Sequence, residues 1–452
     1  MIYPITNHKY HTENETVSSN RFMPVIVSFL VAALLILLPC TYSAQAQAKA
    51  STNKAAQLTQ FIAGKVQLAQ QLQQQEKYLE AISLLSELRP RQAYDQAVVH
   101  RVLGIFYWQQ ENIPQAIKYL SLAVESDLLA AQQAWITRRM LADILLSQQQ
   151  FTGALPHYYH LVKKEHLVKK DELTTSAASS RKVEGYATLW LRIAQAHYQL
   201  KQWPAVISAV QKYVVTNPEG ALVQALNLQL TAQSQLQLWP DAILTLQRIL
   251  HIEPNKLLWW QQLAGIQLRL DQPKAALASL ILAQRQGLAL SVQERRTLAQ
   301  LYAQQGVPEK AALELGAVLP LLGDAQERQA LLVTQAHYWQ MAKEWDLAIQ
   351  TWREIALTTA QHRWQLAQLL LQQGDYQAAL LELNNADITQ SKNKPEIAKI
   401  ELAKVRAYYK LAKYDRAIVH AKQAQAINAS ASAKGWIVYL TQLRKNILFV
   451  QE

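Results

Sequence analysis

The chain has 452 residues, with 45 Lys and Arg against 33 Asp and Glu for a formal net charge of +12, and half of its residues are hydrophobic. With only 12 glycines and no run of alternating strand pattern, this composition suits long helices and argues against a strand-rich fold. The single cysteine, Cys40, excludes an internal disulfide, so stability has to come from packing. The length would allow two or three globular domains, but stacked helical hairpins bury a continuous core without such a division.

In chain order, the first segment is a polar stretch with Lys9 and Arg21, then the 14-residue apolar run Val25 to Leu38, then small residues including Ala44, Gln45 and Ala46. This pattern predicts a secretory signal over 1–46, because 14 residues fall short of the roughly 20 that a helix needs to cross a bilayer. An uncleaved signal anchor is the alternative. Lipid attachment at Cys40 is disfavoured by Pro39, since such sites carry a small residue there.

From about Ala55 onward one pattern recurs. Its clearest copy is Trp260, Leu263, Ala264 and Gln267, followed by Pro273, Ala276, Leu277, Leu280 and Ala283. Aligned on the small residue where a second helix presses on the first, the copies fall at Ala81, Ala116, Ala154, Val206, Ala242, Ala276, Ala311, Ala348, Ala379 and Ala417. Successive separations are 35, 38, 52, 36, 34, 35, 37, 31 and 38. Small residues recur in the first helix at Gly104, Ala142, Ala194, Ala264, Ala299, Ala336 and Ala367, and a bulky one opens the second at Tyr78, Phe151, Trp203, Trp239, Trp345, Tyr376 and Tyr414. Two antiparallel helices close together only where small meets large, and Pro218 and Pro254 break the chain between hairpins.

This pattern resembles the 34-residue tetratricopeptide repeat. The fold class expected is all-α: a superhelical solenoid of about ten hairpins with a C-terminal capping helix. Repeats 1–3 occupy 47–160 and repeats 4–10 occupy 186–430. Residues 161–185 are an insertion, and 431–452 form the cap, with Trp436, Leu440, Leu443 and Ile447 on one face. The insertion accounts for the separation of 52 and holds a tandem copy, His160 to Glu165 followed by His166 to Asp171; a binding loop and a neutral coding slip both explain it.

No nucleophile elbow, phosphate-cradling glycine loop, His-Glu-x-x-His or cysteine pair is present, so no catalytic, cofactor or metal site is assigned and an enzyme is not expected. His157, His160 and His166 lack a carboxylate at ligand spacing. Binding is the better prospect. The first helix of each hairpin is expected to line an inner groove with Arg101, Trp108, Arg139, Asp143, Gln195, Tyr198, Asn227, Gln261, Arg296, Gln300, His337, Trp364, Gln368, Lys399, Arg406 and Tyr409. Amides, guanidinium groups and interleaved aromatics suit an acidic or neutral polypeptide. The lysine and asparagine set of a carboxylate clamp is missing.

The positive charge concentrates at the C-terminus, where Lys392 to Lys445 holds twelve basic residues against Glu396, Glu401 and Asp415. A basic patch is expected at Lys404, Lys410, Lys413 and Lys422, able to attract anionic membrane or peptidoglycan. Export argues against nucleic acid, and no small-molecule substrate is expected.

One closer resemblance is visible. Trp260-Gln-Gln-Leu-Ala-Gly265, Gln284-Arg-Gln-Gly-Leu288 and Leu298-Ala-Gln-Leu-Tyr302 are similar to segments of secreted tetratricopeptide proteins encoded beside TonB genes in Gram-negative bacteria. The resemblance implies a periplasmic accessory of a TonB, ExbB and ExbD assembly that supports iron-complex uptake, with no catalytic residue to carry over.

Overall fold

The computed structural model describes residues 57–168, 176–216, 222–359, 362–386 and 394–451. The expected signal segment with Cys40, part of the insertion, Pro218 and Lys392 lie outside the described residues. Among the described residues there are 21 α-helices and no strand.

The helices alternate as first (A) and second (B) members of ten hairpins. They are α1 (Gln60–Gln74) with α2 (Tyr78–Ser86), α3 (Ala93–Gln109) with α4 (Ile113–Glu125), α5 (Ala131–Ser147) with α6 (Phe151–Val168), and α7 (Ser176–Gln199) with α8 (Trp203–Thr216). Next come α9 (Leu222–Gln235) with α10 (Trp239–Ile252), α11 (Leu257–Arg269) with α12 (Pro273–Arg285), and α13 (Val292–Gln304) with α14 (Pro308–Val318). The last three are α15 (Ala325–Ala342) with α16 (Trp345–Thr358), α17 (Arg363–Gln373) with α18 (Tyr376–Asn385), and α19 (Lys394–Lys410) with α20 (Tyr414–Ile427); α21 (Ala431–Gln451) follows alone.

Every A-to-B turn is built the same way. One residue adopts positive φ in each: Glu76, Glu111, Gln149, Lys201, Gln237, Asp271, Gly306, Lys343, Gly374 and Ala412. The next residue's amide donates back to a carbonyl five positions earlier, as in Lys77 to Leu72, Gln202 to His197 and Lys413 to Tyr408. This Schellman arrangement satisfies the orphan carbonyls at the end of helix A and reverses the chain in three residues. Each aligned small residue lies five positions after its turn residue, and all ten, Ala81 through Ala417, are 0% exposed. The small-residue spacing is therefore the turn spacing. These are tetratricopeptide-type hairpins stacked as an all-α solenoid.

Packing follows chain order, each helix chiefly touching its neighbours in sequence. Next-but-one packing joins A helices, α1 to α3, α7 to α9 and α17 to α19, and no two B helices to that extent, so the A helices line the inner side. At Gly104 of α3 the two helices of hairpin 2 approach closely: an added Cβ would lie 2.6 Å from Leu120 Cγ of α4. Across the insertion, helical backbone continues to Val168 and resumes at Ser176. The cap covers hairpin 10 with Ala433 and Leu440, both fully buried, while Lys434, Arg444 and Lys445 face solvent.

Candidate functional site

Most of the expected groove residues fall in three columns of the A helices, at ten, six and three positions before the turn residue. Arg101, Arg139, Asn227, Gln261, Arg296 and Trp364 share the first column. Asp143, Gln195, Gln300, His337, Gln368 and Arg406 share the second; Trp108, Tyr198 and Tyr409 share the third. Successive columns are three or four residues apart, so they stripe one helix face. Lys399 lies one further turn back.

Many of these side chains already have internal work. Arg101 Nε donates to the Thr137 hydroxyl of the next A helix at 3.1 Å, and burial lowers its pKa. Gln261 Nε2 donates to Glu294 at 2.9 Å, and Arg296 pairs with Glu327 at 2.6 Å, each again one A helix onward. Asp143 accepts from Tyr158 at 2.5 Å and faces Arg139 at 3.8 Å, and Arg139 lies over Trp135. Burial and the Asp143 charge push the Tyr158 hydroxyl pKa well up. Gln195 accepts from Arg192 at 3.3 Å, and Tyr198 packs edge-on to Trp203. Three of the six first-column residues, Arg101, Gln261 and Arg296, thus tie repeat to repeat. The exposed set is concentrated in the second half of the chain: Asn227, Gln300, His337, Gln368, Lys399 and Arg406. It carries amides and cations and no carboxylate.

The basic patch needs one correction. Lys404 is not on the surface but 6% exposed, its ammonium 2.9 Å from Glu401 Oε1. Glu401 also meets His420 Nδ1 at 2.6 Å, and Tyr408 stacks on the His420 ring. Burial alone would raise the Glu401 pKa, but the hydrogen bonds from His420 and Lys404 and their charges together hold it below the ordinary carboxylate value. The register explains the burial. Lys404 lies eight positions before its turn, a column filled by the buried Leu103, Leu141, Ile193, Leu263, Leu298 and Leu366 in other hairpins. Lys410, Lys413 and Lys422 are exposed.

A second column pair was not visible in the sequence. The residue eleven before the turn meets the residue eight after it across the hairpin. Arg295 pairs with Glu314 at 2.8 Å, Arg363 with Glu382 at 2.8 Å, and Glu401 with His420, in reversed polarity. In hairpin 2 the same places hold His100 and Tyr119, their rings 5.7 Å apart. In hairpin 3 they hold Arg138 and His157; burial, then the Arg138 charge, lowers the His157 pKa. The signal was present as charge complementarity at fixed offset from the turn, but only after the turn residue is known.

At the C-terminal end of the A face, Tyr409 meets three other rings: Tyr414 at 6.2 Å, Trp436 at 5.4 Å and Tyr439 at 5.8 Å. A slot of about 370 Å³ opens between Tyr409, Ser432, Gly435, Trp436 and Tyr439. A larger groove of about 820 Å³ lies among α8, α9 and α10, with Gln229, Gln233 and Thr245 at its base and Leu244 on its wall. Among the described residues no group of three or more His, Cys, Asp or Glu is placed to hold a metal ion, and no described helix is long and apolar enough to cross a membrane.

No family model and no curated protein matches the chain. Solved structures similar to it include a tetratricopeptide repeat protein from Parabacteroides merdae, at 12% identity over 56% of this chain and 98% of that one, with a TM-score of 0.29. The TPR domain of P58(IPK) is 16% identical over 77% of this chain and 98% of that one, with a TM-score of 0.23. The Cut9–Hcn1 hetero-tetramer of APC/C is 14% identical over 84% and 83%, with a TM-score of 0.25. The repeat assignment itself rests on the turn register above.

Proposed function

We propose that the chain is a non-catalytic scaffold whose A-helix face holds an extended, neutral to acidic polypeptide. The observation that carries this reading is the second column, where Gln300, His337, Gln368 and Arg406 stand exposed one per hairpin without a carboxylate among them. Side chains repeated at hairpin spacing can hydrogen-bond successive stretches of an extended backbone, while the cation at the end favours acidic side chains. The partner is an envelope protein. The resemblance noted in the sequence supports a periplasmic partner among TonB, ExbB and ExbD components.

Crosslinking from photoreactive residues at 300, 337 and 368 in intact cells, with partners identified by mass spectrometry, tests this. Adducts with TonB-system proteins are the expected result. With any captured partner, Q300A/H337A/Q368A/R406A should weaken binding at least tenfold, roughly 1.4 kcal/mol. Unchanged affinity sinks the groove assignment, and adducts with no TonB-system protein sink the energy-transduction assignment.

The competing reading is an envelope-organising protein held to peptidoglycan or anionic membrane by its C-terminal hairpin, favoured by the exposed Lys410, Lys413 and Lys422. Loss of cell-wall or vesicle binding on neutralising those three lysines, with the groove variant unaffected, would select it.

A further inference from the structure

We propose that the aromatic slot at the C-terminal end of the solenoid is a saccharide subsite, built to seat one pyranose ring of an acidic glycan. This goes beyond the polypeptide-holding face, with which it shares Arg406 at one edge, and it stands whether or not that face holds a polypeptide.

Two of the slot's rings, Tyr409 and Trp436, rest with one side on the core of hairpin 10, and Tyr439 leans on both from outside. Trp436 and Tyr439, one turn apart on α21, stand edge-to-face at 76°, and Tyr409 of α19 tilts against both, at 59° and 66°. Tyr439 remains 48% exposed. Between them Gly435 leaves the wall low, since a Cβ there would meet nothing within 4 Å. The rim is hydroxylic: Tyr409 and Tyr439 share a hydrogen bond at 3.0 Å, and Ser432 adds a third hydroxyl.

An apolar aromatic wall under a hydroxyl rim matches a pyranose, which offers one face of C–H bonds and an edge of hydroxyls. The slot is shallow and open to solvent on most sides, so it offers one ring a face and an edge rather than an enclosure. Charge narrows the choice further. Aromatic clusters also hold quaternary ammonium groups, but such sites attract cations, and the exposed charged residues within four positions of a lining residue are all basic: Arg406, Lys410, Lys413 and Lys434. Asp415, the acidic residue nearest in sequence to these, is paired with Arg444 at 2.9 Å. The local field therefore favours a sugar whose neighbours carry carboxylate or phosphate. Stacked nucleic-acid bases are the rival for aromatics beside cations, but successive bases need parallel ring faces along a strand, whereas these rings lie at steep angles around one slot.

Calorimetric titration of the full chain with tetragalacturonate, chitotetraose and an oligothymidylate decides the matter. Both saccharides should bind, the acidic one at least threefold tighter. W436A and G435L should each cost at least tenfold. The second is the safer variant, because it fills an exposed helical position with a good helix former and leaves every aromatic in place. Q300A/H337A/Q368A should bind saccharide normally, which separates this site from the peptide face. The proposal is overturned by silence from both saccharides at millimolar concentration, by binding that G435L leaves intact, or by oligothymidylate binding without saccharide binding. Equal affinity for the two saccharides would overturn the acidic assignment.

Discussion

Eight of the ten hairpin turns place a residue with a side chain in the left-handed region, and Ala412, at φ 55°, is the plainest case. A Cβ there costs on the order of 1–2 kcal/mol, part of which glycine gives back through the freedom it loses on folding. Ala412→Gly should therefore stabilise hairpin 10 by about 0.5 kcal/mol, and Gly374→Ala, at φ 85°, should destabilise hairpin 9 by about 1 kcal/mol. Opposite shifts in urea midpoint check both at once; shifts of the same sign would show that these turns are not what sets stability there. The small-residue column was legible in the sequence because packing tolerates little but alanine at 0% exposure. The turn residues were not, because a Schellman turn fixes a backbone angle rather than a side chain, and Glu, Gln, Lys and Asp carry no mark of it. Lys404 was misplaced for a related reason: counting charges along the sequence ignores the column in which each one falls.

Within single hairpins, the cross-helix column pairs make stability depend on acid in two stages. Burial, then the charges of Arg138 and His160, hold the folded pKa of His157 below the ordinary 6.5, and its Nδ1 is buried without a partner. A depressed histidine contributes fully above 6.5 and loses its contribution as pH falls, because the neutral imidazole takes up a proton more readily in the unfolded chain. Burial depresses His100 in the same direction. Glu401 is depressed below 4.5, so its contribution persists to lower pH and then disappears as the carboxylate is protonated. Thermal midpoints between pH 7.5 and 5.5 should fall less in H157Q than in the parent chain. Glu401→Gln should flatten the limb below pH 4.5 and also cost on the order of 3 kcal/mol at neutral pH, since it leaves Lys404 buried without its counter-charge. An unchanged acid limb in that variant would mean the Glu401 cluster carries no titration-linked stability. The groove columns were legible at this scale because three- and four-residue steps follow from helix geometry alone. Which of their members are consumed between repeats was not, since Arg101 to Thr137 or Gln261 to Glu294 depends on how one hairpin leans on the next.

Along the whole molecule, contact runs from neighbour to neighbour, so damage should stay local at an end and spread from the middle. Removing α21 deletes Leu440, which is 0% exposed, and uncovers the core shared by Val405, Tyr408, Ala417 and Ala421. Hydrogen exchange in the truncated chain should quicken through α19 and α20 and remain unchanged before about α15, where a separate core cluster around Trp352 and Leu366 begins to carry the load. Leu246→Asp is the contrasting case. Leu246 is fully buried in the cluster that joins hairpins 5, 6 and 7, so an unpaired carboxylate there breaks the array where both halves depend on it. Exchange should then quicken on both sides of α10 and reach further than in the truncation. If deleting α21 instead loosened the first hairpins, the chain would be folding as one globular unit, and the repeat register would describe its sequence without describing its energetics.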